Sequence, residues 1–165
     1  MRDNLLDDAG LRELGKLTGL LRLNLGDSRI DDSGLQHLSG MKDLQYLAIS
    51  KTAVSKLDAL PPLAKLEYLD LEDTHMESFR LENPDKFPAL NVINVFNTFD
   101  ARLDPVKQLA DLSKIKSLQV VLASSYDPPV MEELRKQIPN KEFRDARDEK
   151  NLWGNMSARR PPTRR

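Results

Sequence analysis

Apolar residues recur along the chain in a six-residue pattern in which positions 1, 4 and 6 are apolar. The pattern occurs as LLRLNL from residue 20, LQYLAI from 44, LEYLDL from 66, LNVINV from 90 and, in a weaker form, LQVVLA from 118. Apolar positions 4 and 6 separated by an outward position 5 have the period of a strand with one buried face. The sequence therefore predicts a short strand every 22 to 28 residues.

Each predicted strand is followed by a segment with a different period. A small hydroxyl residue stands at position 9 of the first four units: Ser28, Thr52, Thr74 and Thr98. Apolar residues then recur three apart, as in residues 57–66 and 106–118, which suits a short helix or 3₁₀ turns. Asp31 or Asp32, Ser55, and Asp104 before Pro105 stand where helix N-caps are expected. One strand and one return segment per unit predict a right-handed coil with a parallel sheet.

The phased pattern LxxLxLxxT, followed by I-x-D-x-G-L-x-x-L-x-x-L, resembles the leucine-rich repeat family from about Asn4 to Asn140. The first two units are similar to the 24-residue bacterial repeats, and VSKLDALPPLAKLEYLDL is similar to the 22-residue class of internalins. The resemblance implies an α/β leucine-rich repeat solenoid, with the parallel sheet on a concave face and short helices or 3₁₀ turns on a convex face. It also implies that the concave face is the contact surface for a protein.

The expected domain organisation is one repeat domain followed by a short extension. Residues 1–143 are expected to hold about five strand units and a capping helix over 128–138, because the segment DPPVMEELRKQIPNKEF places Val130, Leu134 and Ile138 on one helical face. With Phe143 after Pro139, the segment resembles the closing helix and final strand of bacterial members of this family. Residues 144–165 form a C-terminal extension that we expect to be partly or wholly disordered. Few residues precede the first repeat half, so we expect a fragment of a longer array or association through an uncapped N-terminal edge.

The composition argues against an enzyme. The chain has no cysteine and two histidines, His37 and His75, which lie in different units without a second ligand at metal spacing. No phosphate-binding loop, dinucleotide-binding motif, nucleophile elbow or HExxH motif occurs. We therefore predict no catalytic residue, no metal site and no cofactor.

Charge is distributed unevenly. Lys and Arg number 25 and Asp and Glu 26, yet from Lys141 onward there are 8 basic and 4 acidic residues, so the preceding 140 residues are acidic. The four arginines near the end, Arg159, Arg160, Arg164 and Arg165, make nucleic-acid binding a weak alternative. The opening MRDNLLDDAG is not a secretory signal and no apolar run is long enough to cross a membrane, so a cytoplasmic protein without membrane contact is expected.

The outward strand positions 3, 5 and 7 carry the candidate contact residues. These are Arg22, Tyr46, Tyr68, Asp70, Glu72, Asn94 and Phe96. Aromatic residues beside three carboxylates, the third being Asp73, suit a basic or Arg-containing protein segment. The alternative is that Tyr46 and Tyr68 only stack on each other and that the charges pair across strands.

The sequence thus predicts a non-enzymatic module that binds a protein or peptide through its sheet. The alternative is a regulatory or substrate-recruiting part of a larger ligase, kinase or phosphatase assembly. Trp153 admits two interpretations: it folds back against the apolar end of the repeats, or it belongs to a linear peptide that docks on a partner.

Overall fold

Six short strands form one parallel sheet whose strand order follows the chain. The computed structural model describes residues 6–77, 79–98, 104–123 and 128–147. The strands are β1 (Arg22–Asn24), β2 (Tyr46–Ala48), β3 (Tyr68–Asp70), β4 (Val92–Asn94), β5 (Val120–Ala123) and β6 (Glu142–Asp145). The first five are the strands that the periodicity predicts, and β6 extends the sheet beyond the last copy of the pattern.

The return segments are short helices and 3₁₀ turns, as the spacing by three predicts. The α-helices are α1 (Asp8–Leu14), α2 (Pro105–Leu109) and α3 (Pro128–Gln137), and the 3₁₀ segments are Gly34–Gly40, Leu57–Ala59, Pro84–Lys86 and Ala110–Lys114. The helix expected over 128–138 is α3. Within the described ranges, no helix has the length and apolar character needed to cross a membrane.

Positions 1, 4 and 6 of each unit point into one continuous core between the sheet and the return segments. In the central unit, Leu66, Leu69 and Leu71 are fully buried. Burying a leucine side chain contributes roughly 1.5–3 kcal/mol, so the repeated leucines supply the main driving force of the fold. The return segment of this unit also places Phe87 and Leu90 in the core. Three residues that the pattern does not mark are buried with them: Met76, Phe79 and Leu81.

The position-9 hydroxyls cap the strand ends from inside the coil. Thr52 Oγ1 donates to the Ile49 carbonyl at 2.7 Å, and Thr74 Oγ1 donates to the Leu71 carbonyl at 2.6 Å. Ser28 is also buried, but its Oγ has no hydrogen-bond partner in the part of the chain that the structure describes. Thr52 and Thr74 therefore each satisfy a turn carbonyl, whereas the Ser28 hydroxyl, at the same distance from the backbone, does not.

Position 8 of each of the first four units has left-handed backbone conformation. The φ angles are 59° at Asp27, 55° at Lys51, 56° at Asp73 and 50° at Asn97. The N–H groups of the first three donate to the next unit at Ser50, Glu72 and Phe96 carbonyls. The left-handed turn therefore continues the hydrogen-bond ladder past the end of each strand, a feature that hydropathy does not reveal.

The acidic residues at the return segments partly follow the expectation. Asp104 caps α2, since its Oδ1 accepts from the Val106 N–H at 3.0 Å. Neither Asp31 nor Asp32 is the N-cap of Gly34–Gly40, because Ser33 holds that position without a side-chain hydrogen bond, and Lys56 rather than Ser55 is the N-cap of Leu57–Ala59. The Asp32 carboxylate instead reaches the following unit. It accepts from the N–H and hydroxyl of Ser55 at 2.9 and 2.8 Å and from the Lys56 N–H at 3.1 Å. Asp32 therefore joins two repeats.

Candidate protein-binding surface

The strand register gathers the predicted contact residues on the sheet face that points away from the core, called here the open face. Position 3 forms the row Arg22, Tyr46, Tyr68, Val92, Val120, and position 5 forms the row Asn24, Ala48, Asp70, Asn94, Leu122. Both rows are those that the sequence pattern predicts. Side chains separated by 22 to 28 residues in sequence thus become neighbours on adjacent strands, about 4.8 Å apart.

Three position-3 residues form a continuous stack along the first row. The rings of Tyr46 and Tyr68 lie 5.0 Å apart at an interplanar angle of 9°. The Arg22 guanidinium covers the Tyr46 ring, with Cζ 4.6 Å from its centroid. Tyr68 is only 7% exposed, whereas Tyr46 is half-buried and Arg22 is exposed. Tyr46 and Tyr68 do stack on each other, as the alternative interpretation predicts. Tyr46 and Arg22 are the members of the stack that a partner can reach.

Burial raises the pKa of Tyr46 above its ordinary value, and the negative charge of Asp70 raises it further. The positive charge of Arg22 acts in the opposite direction. The hydroxyl of Tyr46 therefore stays protonated at neutral pH.

An acidic cluster, formed by Asp70, Glu72 and Asp73, lies beside the stack at the end of β3. The Asn94 side-chain amide donates to Asp70 Oδ1 at 3.0 Å and to Glu72 Oε2 at 3.3 Å. On the next turn, Asn97 Nδ2 donates to Asp73 Oδ1 at 2.6 Å. Lys51 Nζ lies 3.9 Å from Asp73 Oδ2 and is more than half exposed. Three carboxylates gathered at the end of one strand give the open face a negative region.

Position 5 has a second role that the sequence pattern did not reveal. Asp70 Oδ1 accepts from the Glu72 N–H at 3.0 Å, and Asn94 Oδ1 accepts from the Phe96 N–H at 3.0 Å. Asn24 makes the same contact to the Gly26 N–H at 2.9 Å. The recurring Asn or Asp two residues before the turn was the available signal, because these side chains form such turns with the backbone. Asn94 is 5% exposed and acts mainly within the protein.

The far half of the open face carries a second, smaller apolar cluster. Tyr68, Val92, Leu122 and Ala146 are buried in it, and Tyr46, Phe96 and Val120 pack against it while half-buried. Ala146 follows β6, and hydropathy periodicity does not place it here. The open face therefore presents a cation on the stack at β1, an acidic cluster at the end of β3, and an apolar cluster that extends from the two tyrosines to the end of β6.

The remaining sequence candidates lie elsewhere. His37 is half-buried, His75 is exposed, and the described residues contain no group of three or more His, Asp or Glu arranged to hold a metal ion. Leu17 and Leu21, beside β1, are 53% and 40% exposed. Trp153 and the arginines from residue 159 onward lie outside the described residues.

Comparisons with known proteins agree with the repeat architecture. No family model matches the chain. Residues of this chain are 32% identical over 96 positions to acidic leucine-rich nuclear phosphoprotein 32 family member A from Drosophila pseudoobscura pseudoobscura and from Drosophila melanogaster. Each match covers 54% of this chain and 36% of the fly protein. The chain is a leucine-rich repeat protein and spans little more than a third of the length of these fly relatives.

A solved structure also aligns with the chain. An internalin from Listeria monocytogenes is 19% identical, with a TM-score of 0.49, over 86% of this chain and 47% of that chain.

Proposed function

We propose that this leucine-rich repeat protein is a non-enzymatic binding module that takes an extended, basic segment of a protein partner on its open face. The observation that carries the proposal is the acidic cluster of Asp70, Glu72 and Asp73 beside the partly exposed apolar residues Phe96 and Val120. Negative charge next to apolar surface suits a segment that has both basic and apolar side chains.

The size of the open face fits an extended segment. Six strands at about 4.8 Å spacing give a width of roughly 24 Å, and a chain that crosses them covers about 3.3 Å per residue. About seven residues of a partner therefore span the face. A contact of this size depends on a few well-placed side chains, because its area is below that of a standard protein interface.

The contact residues are held in place before a partner arrives. Asp70, Glu72 and Asp73 are oriented by the amides of Asn94 and Asn97. Groups already fixed by internal hydrogen bonds lose little conformational entropy on binding, and this raises affinity. In this proposal Tyr46, Asp70, Glu72 and Phe96 touch the partner, and Arg22 lies at the edge of the contact on the Tyr46 ring. Asn94 and Tyr68 support them from beneath.

A charge-reversal experiment tests the proposal. The double variant Glu72→Lys, Asp73→Lys places positive charge on the open face, and binding of an Arg- and Lys-containing peptide should weaken at least tenfold by fluorescence anisotropy. The matched control is Glu132→Lys, Glu133→Lys on α3, which makes the same change of charge among exposed residues of a return segment. Equal loss in both variants would show that net charge alone matters and would refute a site on the open face.

Two of the sequence alternatives remain testable beside it. The chain covers little more than a third of the fly relatives, which suits a recruiting segment within a larger protein as the alternative function. Affinity capture with the intact chain and with the double variant, followed by identification of the captured proteins, separates a single partner from an enzyme assembly. Removal of residues 157–165 tests the alternative of nucleic-acid binding. If that alternative is right, RNA binding at low salt should be weaker for the shortened chain than for the intact chain.

The compartment and self-association belong to the same proposal. We place the protein in the cytoplasm, and the nucleus, named in the description of the fly relatives, is the alternative that imaging of a tagged chain in its host would show. Self-association through the N-terminal edge would use the exposed Leu17 and Leu21. A concentration-dependent sedimentation coefficient that disappears in Leu17→Gln, Leu21→Gln would support it.

A further inference from the structure

The Arg22 guanidinium on the Tyr46 ring is a contact that a partner can reproduce. Arg22 lies on β1 with an exposed side chain, and within the described ranges it forms no ion pair with a carboxylate. A cation on an aromatic face at an exposed site is held weakly. The Tyr46 ring, by contrast, is fixed from its other side by the stacked ring of Tyr68. The ring is therefore a rigid platform with a replaceable cation on it.

We propose that the partner segment carries an arginine whose guanidinium takes the place of Arg22 on the Tyr46 ring, so that Tyr46 determines specificity for arginine over lysine. The inference rests on the proposed function and names the partner chemistry of the same open face. A guanidinium is planar and weakly hydrated and stacks on a ring, whereas an ammonium is a compact and strongly hydrated point charge. The platform therefore favours arginine.

The spacing across the open face defines the rest of the segment. From the position of Arg22 on β1 to the acidic cluster on β3 there are two strand spacings, or about 10 Å, which is three residues of extended chain. From β3 to the apolar residues of β5 the distance is again about 10 Å by the same spacing. The segment that fits has an arginine, a basic residue three positions away, and an apolar residue three positions further.

Three peptides of identical length test the inference. Their pattern is X-Gly-Ser-Arg-Gly-Ser-Leu, in which X is arginine, lysine or alanine, and binding is measured by fluorescence anisotropy at fixed ionic strength. We expect the arginine peptide to bind about five- to tenfold more tightly than the lysine peptide. Equal affinity of the two overturns the inference.

Variants of Arg22 test whether its guanidinium competes with the partner's arginine for the Tyr46 ring. Arg22→Gln should tighten the arginine peptide several-fold more than the alanine peptide, because the competing guanidinium is gone. Lys51→Gln is the matched control: it removes a cation that does not lie on the ring and should affect all three peptides alike. Weaker binding of the arginine peptide to Arg22→Gln would show that Arg22 itself is a contact and would overturn the inference.

Tyr46 variants complete the test. Tyr46→Phe should keep the preference for arginine, since the ring face remains, and Tyr46→Leu should abolish the preference while the circular dichroism spectrum stays native. If the arginine and lysine peptides bind equally but Glu72→Lys, Asp73→Lys weakens both, this inference fails and the proposed function stands. If none of the peptides binds, both fail.

Discussion

The side-chain amide of Asn94 donates to the Asp70 carboxylate on the neighbouring strand, with Nδ2 and Oδ1 3.0 Å apart, while its own Oδ1 accepts from the Phe96 N–H. One buried residue thus orients an acidic contact residue and an aromatic one. The open face depends on Asn94 although that side chain is almost inaccessible.

Replacing Asn94 by aspartate should destabilise the protein in a pH-dependent way. The variant places a third carboxylate beside Asp70 and Glu72 in a buried position, which costs about 2 kcal/mol or more at pH 7. Protonation relieves the repulsion, so the deficit should shrink near pH 4. Urea unfolding of both proteins at the two pH values measures it. Asn24→Asp on β1 is the control, since Asn24 is exposed and aspartate accepts the Gly26 N–H equally well. A deficit of the same size at both pH values would contradict the assignment.

The position-9 hydroxyls should differ in their contribution to stability. Thr74→Val keeps the shape of the side chain but removes the hydrogen bond to the Leu71 carbonyl, so a loss of about 1–2 kcal/mol is expected. Ser28→Ala removes a buried hydroxyl without a partner among the described residues and should be neutral or stabilising. Thermal unfolding followed by circular dichroism compares the two, and an equal loss in both would show that Ser28 has a partner after all.

Lys51 should be replaceable with a gain in stability. It is the one lysine among the four left-handed residues, whose other members are Asp and Asn. Asparagine tolerates this backbone conformation better, and Lys51→Asn should stabilise the protein by about 0.5 kcal/mol. The control is Lys65→Asn, in an exposed turn without positive φ, which should give no gain in stability. A gain of equal size there would show that the loss of the lysine charge, and not the backbone conformation, causes the effect.

Asp111 should contribute acid sensitivity. Partial desolvation alone would raise its pKa, but hydrogen bonds from Lys114 and from the Leu81 N–H outweigh it, so the pKa lies below the ordinary value of 3.8. A carboxyl whose pKa is lower in the folded state stabilises the protein above the unfolded pKa and loses this contribution as the pH falls through the folded pKa. Asp111→Asn should therefore lose less stability than the parent between about pH 5 and pH 3.

Urea titrations across this range are the measurement. Lys114→Met, which removes the cation and leaves the carboxylate, should reduce the same pH dependence. Parallel curves for the parent and Asp111→Asn would mean that Asp111 titrates alike in the folded and unfolded chain.

The sequence pattern was sufficient for the strand positions and their register. Leucines in phase at Leu44, Leu66 and Leu90 specify which face is buried, and the shared position 3 of their units then specifies that Tyr46 lies opposite Tyr68. A slip by one residue would expose every leucine, so the register is strongly determined. The sixth strand was harder to place because its alternation, with Phe143 as the inward residue, covers only four residues.

The solvent exposure and backbone conformation of the open-face residues were not predictable from hydropathy. An outward position in a strand gives the side of the sheet but not the exposure, and Tyr68 is buried by neighbours that belong to the same face. Likewise, the sign of φ at Lys51 carries no hydropathy signal. Asp27, Asp73 and Asn97 at the equivalent positions were the available clue, since short polar residues are the ones that tolerate left-handed backbone.

The four left-handed turns make the repeats interchangeable. Each turn ends its strand in the same conformation and, at Asp27, Lys51 and Asp73, binds the next unit through the same backbone hydrogen bond. A unit inserted in phase therefore meets matching partners on both sides. Duplicating residues 44–65, which run from one pattern start to the residue before the next, would add one strand. It would widen the open face by about 4.8 Å and place a second Tyr46 ring on the stack. The width of this binding surface is thus set by the number of repeats and can be changed one repeat at a time.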